Sequence, residues 1–587
     1  MKKFLLVLLA IVGILCIIAA VAVLVVGGLS SGSGRIGSKT VLEVDLEQGL
    51  EEVVSDDPIA EALGGPRVGV VEFLHALERA AKDDRVVGLV ARVGTAPMGL
   101  ARHQEIRDAV EAFRKSGKFA VAWSETMGEF GSGTGAYYLA TAFDEIYLQP
   151  SGDIGFTGLM YETPFMKGAF DKLGVVPKMD HRWEYKNAMN TYTETKFTPP
   201  HREALDKVMQ SQFDQIVRGV SKARGLDEAQ VRAIADRAPI LGKEALDAKL
   251  VDGMLYRDEV YAKVRERAGG DPTFLWVQKY WERAGSPYKH GPSIAVIHGV
   301  GAVQRGNGGF SPLTGSAMGS DTVAGAFRDA VKDKDVRAIV FRVDSPGGSY
   351  VASDTILREV VNARKAGKPV IVTMGDVAGS GGYFVAMEAD KIVAQPGTIT
   401  GSIGVLAGKL LTDGFWEKTG LSWDDVHTSA SSTMWTGTYD YTPEQWAKFQ
   451  GWLDRIYADF TGKVAEGRKL PLEKVQQIAK GRIWSGEDAK EIGLVDEIGG
   501  FPVALTLAKQ AAKIDADAPV TLRTFPRKKT LFEKLTDKGS DSSEPDAATV
   551  MMGELIRIAR PVAVLAEQAG LLEPAGALSM PPVRAGR

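Results

Sequence analysis

The 587-residue chain predicts an α/β protein in which one fold occurs twice in tandem. Two observations carry that prediction. The first is that the chain matches itself. Arg85–Val93 (RVVGLVARV) returns as Asp335–Val343 (DVRAIVFRV) at an offset of 250 residues, and Gly117-Lys118 returns as Gly367-Lys368 at the same offset. Gly135–Gly158 returns as Gly381–Gly404 at an offset of 246, and Gly242–Asp252 as Gly486–Asp496 at 244, each half ending in Leu-Val-Asp. A match sustained at nearly constant offset marks a duplication. The second is alternation. Short β-branched runs of strand length are separated by patterns with charged residues on one helical face, which is the pattern of parallel βαβ units.

In chain order, residues 1–3 form a basic start, Met1-Lys2-Lys3, and residues 4–29 are uncharged. A helix rising about 1.5 Å per residue needs roughly 20 such residues to cross the ~30 Å apolar core of a bilayer. The two lysines favour a cytoplasmic start, so the segment reads as a membrane anchor with the rest of the chain across the membrane. A cleaved signal peptide is the alternative, but its apolar core should span only about 7–15 residues. Residues 30–39, rich in Gly and Ser, read as a tether. The first repeat then occupies 40–285 and the second 286–525. In the second, Ser293–Ile297, Ala338–Val343 and Val370–Thr373 have strand character, and Thr322–Lys332, Ser353–Ala366, Gly381–Ala389, Trp446–Val464 and Leu472–Lys480 have helical character. Residues 526–549 read as a polar linker. The tail, 550–587, carries an amphipathic helical pattern over Met551–Leu572 that Pro561 should interrupt.

Composition removes several classes of function. Lys plus Arg number 70 and Asp plus Glu 74, a formal net charge of −4, which leaves no general electrostatic grip on nucleic acid. The single cysteine, Cys16, rules out an intrachain disulfide framework and a thiolate metal cluster. No Gly-x-x-x-x-Gly-Lys-Ser/Thr phosphate loop occurs, and candidate metal ligands do not cluster in the sequence.

Two places could support chemistry. Asp344-Ser345-Pro346-Gly347-Gly348 follows a predicted strand, and such a turn leaves backbone N–H groups free to face a developing oxyanion. Ser380, in Ala378-Gly379-Ser380-Gly381-Gly382, stands between a predicted strand and a predicted helix. A nucleophile gains there from the N–H groups of the helix start. An ordinary N-cap serine fits the same position. The only histidine after Ser380 is His427, which aligns with His181 in the first repeat, so a shared structural role competes with a Ser-His-Asp triad. A lysine could serve as the base if burial lowered its pKa by several units.

These residues resemble those of the signal peptide peptidase A family in its long, duplicated bacterial form. The resemblance spans about Thr40 to Leu522. It rests on Asp344–Gly348, on Ser380-Gly381-Gly382-Tyr383, on Thr400-Gly401-Ser402-Ile403-Gly404, and on Glu184-Tyr185-Lys186-Asn187-Ala188 of the first repeat. It implies a Clp protease/crotonase-like fold and a Ser/Lys dyad, with no cofactor. Ser380 would be the nucleophile, Lys186 the general base and later the acid, and Ser402 the residue that orients the lysine. The N–H groups of Gly347 or Gly348 and of Gly381 would form the oxyanion hole.

Apolar peptides left in the membrane after signal-peptide cleavage would be the substrates. A homotetramer on the extracytoplasmic side of the cytoplasmic membrane is implied as well. Two rival readings are a crotonase-like acyl-CoA enzyme and an inactive membrane scaffold. The first repeat has Thr134 in place of Ser380, Phe156 in place of Ser402 and Ala96-Pro97-Met98 in place of the Pro-Gly-Gly turn, while Ser432 aligns with Lys186. One composite site per chain follows. Gly379 stands where the family often has Ala, and the tail beyond Asp537 matches nothing in it.

Overall fold

The computed structural model describes residues 34–54, 68–311 and 315–527. The expected anchor at 4–29 and the helical pattern at Met551–Leu572 lie outside the described residues. So does nearly all of the 526–549 linker. Among the described residues no helix is long and apolar enough to cross a membrane.

Each repeat builds a parallel sheet. In the first the strand order is Gly253–Met254, Glu145–Leu148, Phe119–Ser124, Val86–Arg92, Thr40–Asp45, Thr273–Trp276. The second lays down Glu497–Ile498, Lys391–Ala394, Val370–Gly379, Val336–Ser345, Ser293–Val300, Thr521–Phe525 in the same spatial order. It adds Ile399–Gly401 and Ile483–Ser485 beside the C-terminal end of Val370–Gly379. The repetition seen in the sequence is thus also a repetition of topology.

The repeats share a core. One buried apolar cluster contains Leu89, Ile106 and Phe113 of the first repeat together with Val340, Ile371 and Phe501 of the second. Burial of apolar area contributes roughly 25 cal/mol per Å², so this shared cluster ties the repeats together, while two further clusters lie within one repeat each. Ionic contacts cross the same boundary. Arg342, in the middle of a central strand, is fully buried. Its guanidinium bonds Glu52 at 2.5 and 3.0 Å and Glu105 at 3.0 and 2.7 Å, both from the first repeat.

Strands in the second repeat run further than their β-branched runs. Val370–Gly379 passes through Gly375 and Asp376, where the pairing with Val336–Ser345 shifts register between Val343 and Ser345. Glycine and aspartate weaken strand propensity, so the continuation was not readable. The expected helix Gly381–Ala389 is helical only over Gly381–Phe384. Beyond it the spacing is mixed: Tyr383 O accepts from both Ala386 N–H and Met387 N–H at 3.0 Å, and Ala389 N–H donates to Ala386 O at 2.9 Å. The chain there must turn into the strand Lys391–Ala394.

Candidate active site

Ser380 lies where the strand Val370–Gly379 meets the short helix Gly381–Phe384, with φ 53° and ψ −116°. A non-glycine residue held there costs on the order of 1–3 kcal/mol. Its backbone is fixed on both sides. The Ser380 N–H donates to Gly401 O at 2.9 Å, and Phe384 N–H donates to Ser380 O at 2.8 Å. The Ser380 side chain makes no cap hydrogen bond to the helix, which removes the N-cap reading. Its Oγ faces a lysine instead.

That lysine is Lys186, from an irregular strap of the first repeat that follows the strand Val176–His181. The strap reaches the second repeat because Val176–His181 pairs antiparallel with Leu406–Leu411. Lys186 is 5% exposed. Its Nζ is 2.9 Å from Ser380 Oγ, 2.8 Å from Ser402 O and 3.0 Å from Ser402 Oγ. Burial pushes its pKa from 10.5 down to about 7. Among the described residues no carboxylate pairs with it, so nothing opposes that shift.

Three oxygen neighbours suit a neutral amine. A neutral amine here can donate two N–H bonds to Ser402 O and Oγ and keep its lone pair for the Ser380 hydroxyl. Ser402 is itself presented at a positive φ of 51° after the strand Ile399–Gly401.

The glycine turn lies beside Ser380. A Cβ on Gly347 would stand 2.6 Å from Gly381 N and 2.8 Å from Ser380 Cβ. A Cβ on Gly381 would stand 3.1 Å from Gly348 N. The backbone separates the donors. Gly347 N–H donates to Ser345 Oγ at 3.2 Å. Val303 N–H donates to Gly347 O and Ser349 N–H donates to Val303 O, so Gly348 sits in a parallel bridge with Val303. In such a bridge the intervening N–H points away from the partner strand, here away from Val303. Of the three expected glycines, Gly347 has its N–H bonded to Ser345 Oγ, while the nitrogens of Gly348 and Gly381 lie beside the turn next to Ser380.

The other candidates are placed elsewhere. His427 pairs with Asp425 at 2.6 Å on an exposed stretch, and Ser432 is exposed beside Ser429. In the first repeat Thr134 donates its hydroxyl to Gly158 O at 2.8 Å. Phe156 is fully buried edge-on against Tyr137, with ring centroids 5.5 Å apart. That half has filled its version of the site with packing. Among the described residues no group of three or more His, Cys, Asp or Glu is placed to hold a metal ion.

Sequence reasoning missed a cross-repeat clasp. Arg102 bonds Asp344 at 3.0 Å and lies 3.2 Å from Asp376. Asp376 also accepts the N–H groups of Gly99 and Arg102 at 3.0 and 2.9 Å, capping the helix Leu100–Arg114 from the other repeat. Asp344 accepts Val377 N–H at 2.9 Å across the register shift. Its pKa is pushed up to about 6, chiefly by burial, with the Glu52 and Asp376 charges adding to it. A signal for Asp376 was absent, because its partners lie 277 and 274 residues away.

A parallel α/β duplication with a serine facing a buried lysine defines a hydrolase-type site, and comparison with known proteins gives its class. The family model described as Peptidase family S49 matches residues 112–270 and 362–515. "Serine protease SPPA, chloroplastic" of Arabidopsis thaliana is 30% identical over 462 residues, covering 77% of this chain and 67% of that protein. "Protease 4" of Salmonella typhi is 34% identical over 457 residues, covering 76% and 72%. "Protease 4" of Haemophilus influenzae is 29% identical over 476 residues, covering 77% and 75%. Among solved structures, a mutant ClpP1 from Listeria monocytogenes aligns with 36% of this chain and 94% of its own at 15% identity and TM-score 0.24. The chain belongs to peptidase family S49, in the long SppA-type form, and is a serine peptidase.

Proposed function

We propose that the chain is an endopeptidase working through a Ser380–Lys186 dyad. The observation that carries this is the 2.9 Å approach of Lys186 Nζ to Ser380 Oγ in a buried setting. Neutral Lys186 takes the Ser380 proton as Oγ attacks a peptide carbonyl. The oxyanion lies against the N–H groups of Gly348 and Gly381. Lys186 then protonates the leaving amine. A water molecule, deprotonated by the same amine, hydrolyses the acyl-enzyme and restores Ser380. Ser402 holds the lysine so that its lone pair faces the serine in both halves of the cycle.

The substrates are apolar peptides, such as remnant signal peptides, taken at the extracytoplasmic face of the cytoplasmic membrane. The uncharged stretch at residues 4–29 supports this, since it would hold the site beside the bilayer. Association into a tetramer accompanies this reading.

The test is cleavage of apolar peptides in lipid vesicles by the full chain. Wild type should cleave, and Ser380→Ala and Lys186→Ala should lose at least about a thousand-fold in kcat while keeping their far-UV spectra. Retention of near-normal kcat by Lys186→Ala would overturn the dyad. Preference for charged soluble peptides over apolar ones would overturn the substrate class.

A further inference from the structure

Lys186 does not meet Ser402 by virtue of its own strap. The strap is irregular, with Trp183 at φ 68° and Lys186 N–H donating back to Trp183 O at 3.2 Å. A tripeptide of the second repeat, Lys480-Gly481-Arg482, lies between the strap and the loop that presents Ser402. Tyr185 N–H donates to Lys480 O at 3.2 Å. Facing the loop, Gly481 N–H donates to Ile403 O and Ser402 N–H donates to Arg482 O, both at 2.8 Å. One short segment is therefore bonded to the general base's strap and to the serine that orients it.

The geometry of the tripeptide is specific. Lys480 and Gly481 have φ of 51° and 80°. A Cβ on Gly481 would stand 2.5 Å from Lys186 N and Cβ and 2.6 Å from its Cα, so the Lys186 backbone rests directly on this glycine. Arg482 closes the arrangement from outside. Its guanidinium carbon lies 4.8 Å from the ring centroids of both Tyr185 and Trp484. Its Nη1 is 2.7 Å from Glu203 Oε1, while Tyr185 OH donates to Glu203 Oε2 at 2.9 Å. Arginine suits this place because a planar guanidinium can stack on rings and pair with a carboxylate at once.

We propose that Arg482 is a positioning residue, which with Gly481 clamps Tyr185 and so holds the Lys186 amine on Ser402 and away from water. The inference deepens the dyad reading and rests on it. The clamp acts by geometry and by exclusion of water. The charges facing this region are already paired, Glu184 with Lys480 at 3.2 Å and Glu203 with Arg482. Tyr185 and Tyr457 are the other titratable neighbours, and both have pKa values raised first of all by burial. Loosening the clamp admits water to the amine, and hydration restores the charged form.

The test is kcat and KM of the full-length wild type, Arg482→Ala and Arg482→Lys on a fluorogenic apolar peptide from pH 5 to 10. Arg482→Ala should lower kcat at pH 7.5 by about 10–100-fold with KM within about two-fold, the scale set by a misplaced catalytic group. Its acid limb should move upward by about one pH unit or more, toward the ordinary lysine value. Arg482→Lys, which keeps the charge for Glu203 but loses the planar stacking, should fall between the two. A merely structural role would lower thermal stability and leave the acid limb of the folded fraction in place, and that result overturns the proposal. Should Arg482→Ala fail to fold, an unshifted limb and wild-type kcat in Arg482→Lys overturn it equally. A wild type whose cleavage does not depend on Ser380 would instead remove the dyad reading itself, which keeps the two failures distinguishable.

Discussion

Lys186 is costly to the fold as well as placed for chemistry. Its pKa is about 7 in the folded protein against an ordinary 10.5, so between those values the unfolded chain carries a proton the folded chain lacks. Stability contributed at this position therefore rises with pH across that window, and the penalty is complete below pH 7. Lys186→Met should remove it. The variant should melt at a higher temperature than wild type at pH 6, by an amount that shrinks toward pH 10, and should cleave nothing. A calorimetric series across pH checks this, and a lower melting temperature at pH 6 would contradict it. Gly348 provides a second residue-scale prediction. A Cβ there would stand 2.2 Å from Val303 O at φ 154°, so Gly348→Ala must displace the turn. Loss of one oxyanion donor is worth about 2.7–4 kcal/mol, a fall in kcat of roughly 100–1000-fold, read by steady-state kinetics. Ser380, Lys186 and Ser402 were legible because each sits in a short motif that resembles a family's. Gly481 and Arg482 were not, because their roles come from contacts with residues distant in sequence and from no local pattern.

At the scale of elements, the second repeat's central strand Val336–Ser345 is held to the first repeat by Arg342. Burial alone would raise the Glu52 pKa, but the Arg342 charge and hydrogen bonds outweigh it and hold the carboxyl below its usual range. A buried pair adds little over an apolar replacement, but breaking one partner strands the others. Arg342→Ala should therefore cost about 3–5 kcal/mol, measured by urea unfolding, whereas the triple replacement Arg342→Met, Glu52→Leu, Glu105→Gln, which keeps an acceptor for the buried Phe501 N–H, should lose far less. Equal losses would contradict this account. The strand itself was legible from its β-branched run, but the role of Arg342 within it was not. Nor were its partners, since Glu52 and Glu105 lie 290 and 237 residues away. The over-long helix expected at Gly381–Ala389 failed for a different reason. Periodicity reports an apolar face, and here that face belongs to a helical start followed by tight turns.

For the whole molecule, duplication supplied two copies of every part, and each copy has kept a different one. The first retains the strap with Lys186 and has packed Phe156 into the place of Ser402. The second retains Ser380, the glycine turn and Ser402. The shared core predicts that the described body unfolds as one cooperative unit. Calorimetry should show one transition for it, and two well-separated transitions that track the repeats would contradict the shared core. Tandem repetition and α/β class were readable from the chain's match to itself, but the burial of one repeat against the other was not, because apolar residues that close a single repeat look the same as those that join two. The central claim is that an uncharged amine from the first repeat activates a hydroxyl from the second. The most direct measurement is the rate of fluorophosphonate labelling of Ser380 in the full chain between pH 5 and 9. Labelling should rise through a single midpoint near pH 7 and be absent from Lys186→Met, whereas wild-type labelling in that variant, or a rate independent of pH, would contradict it.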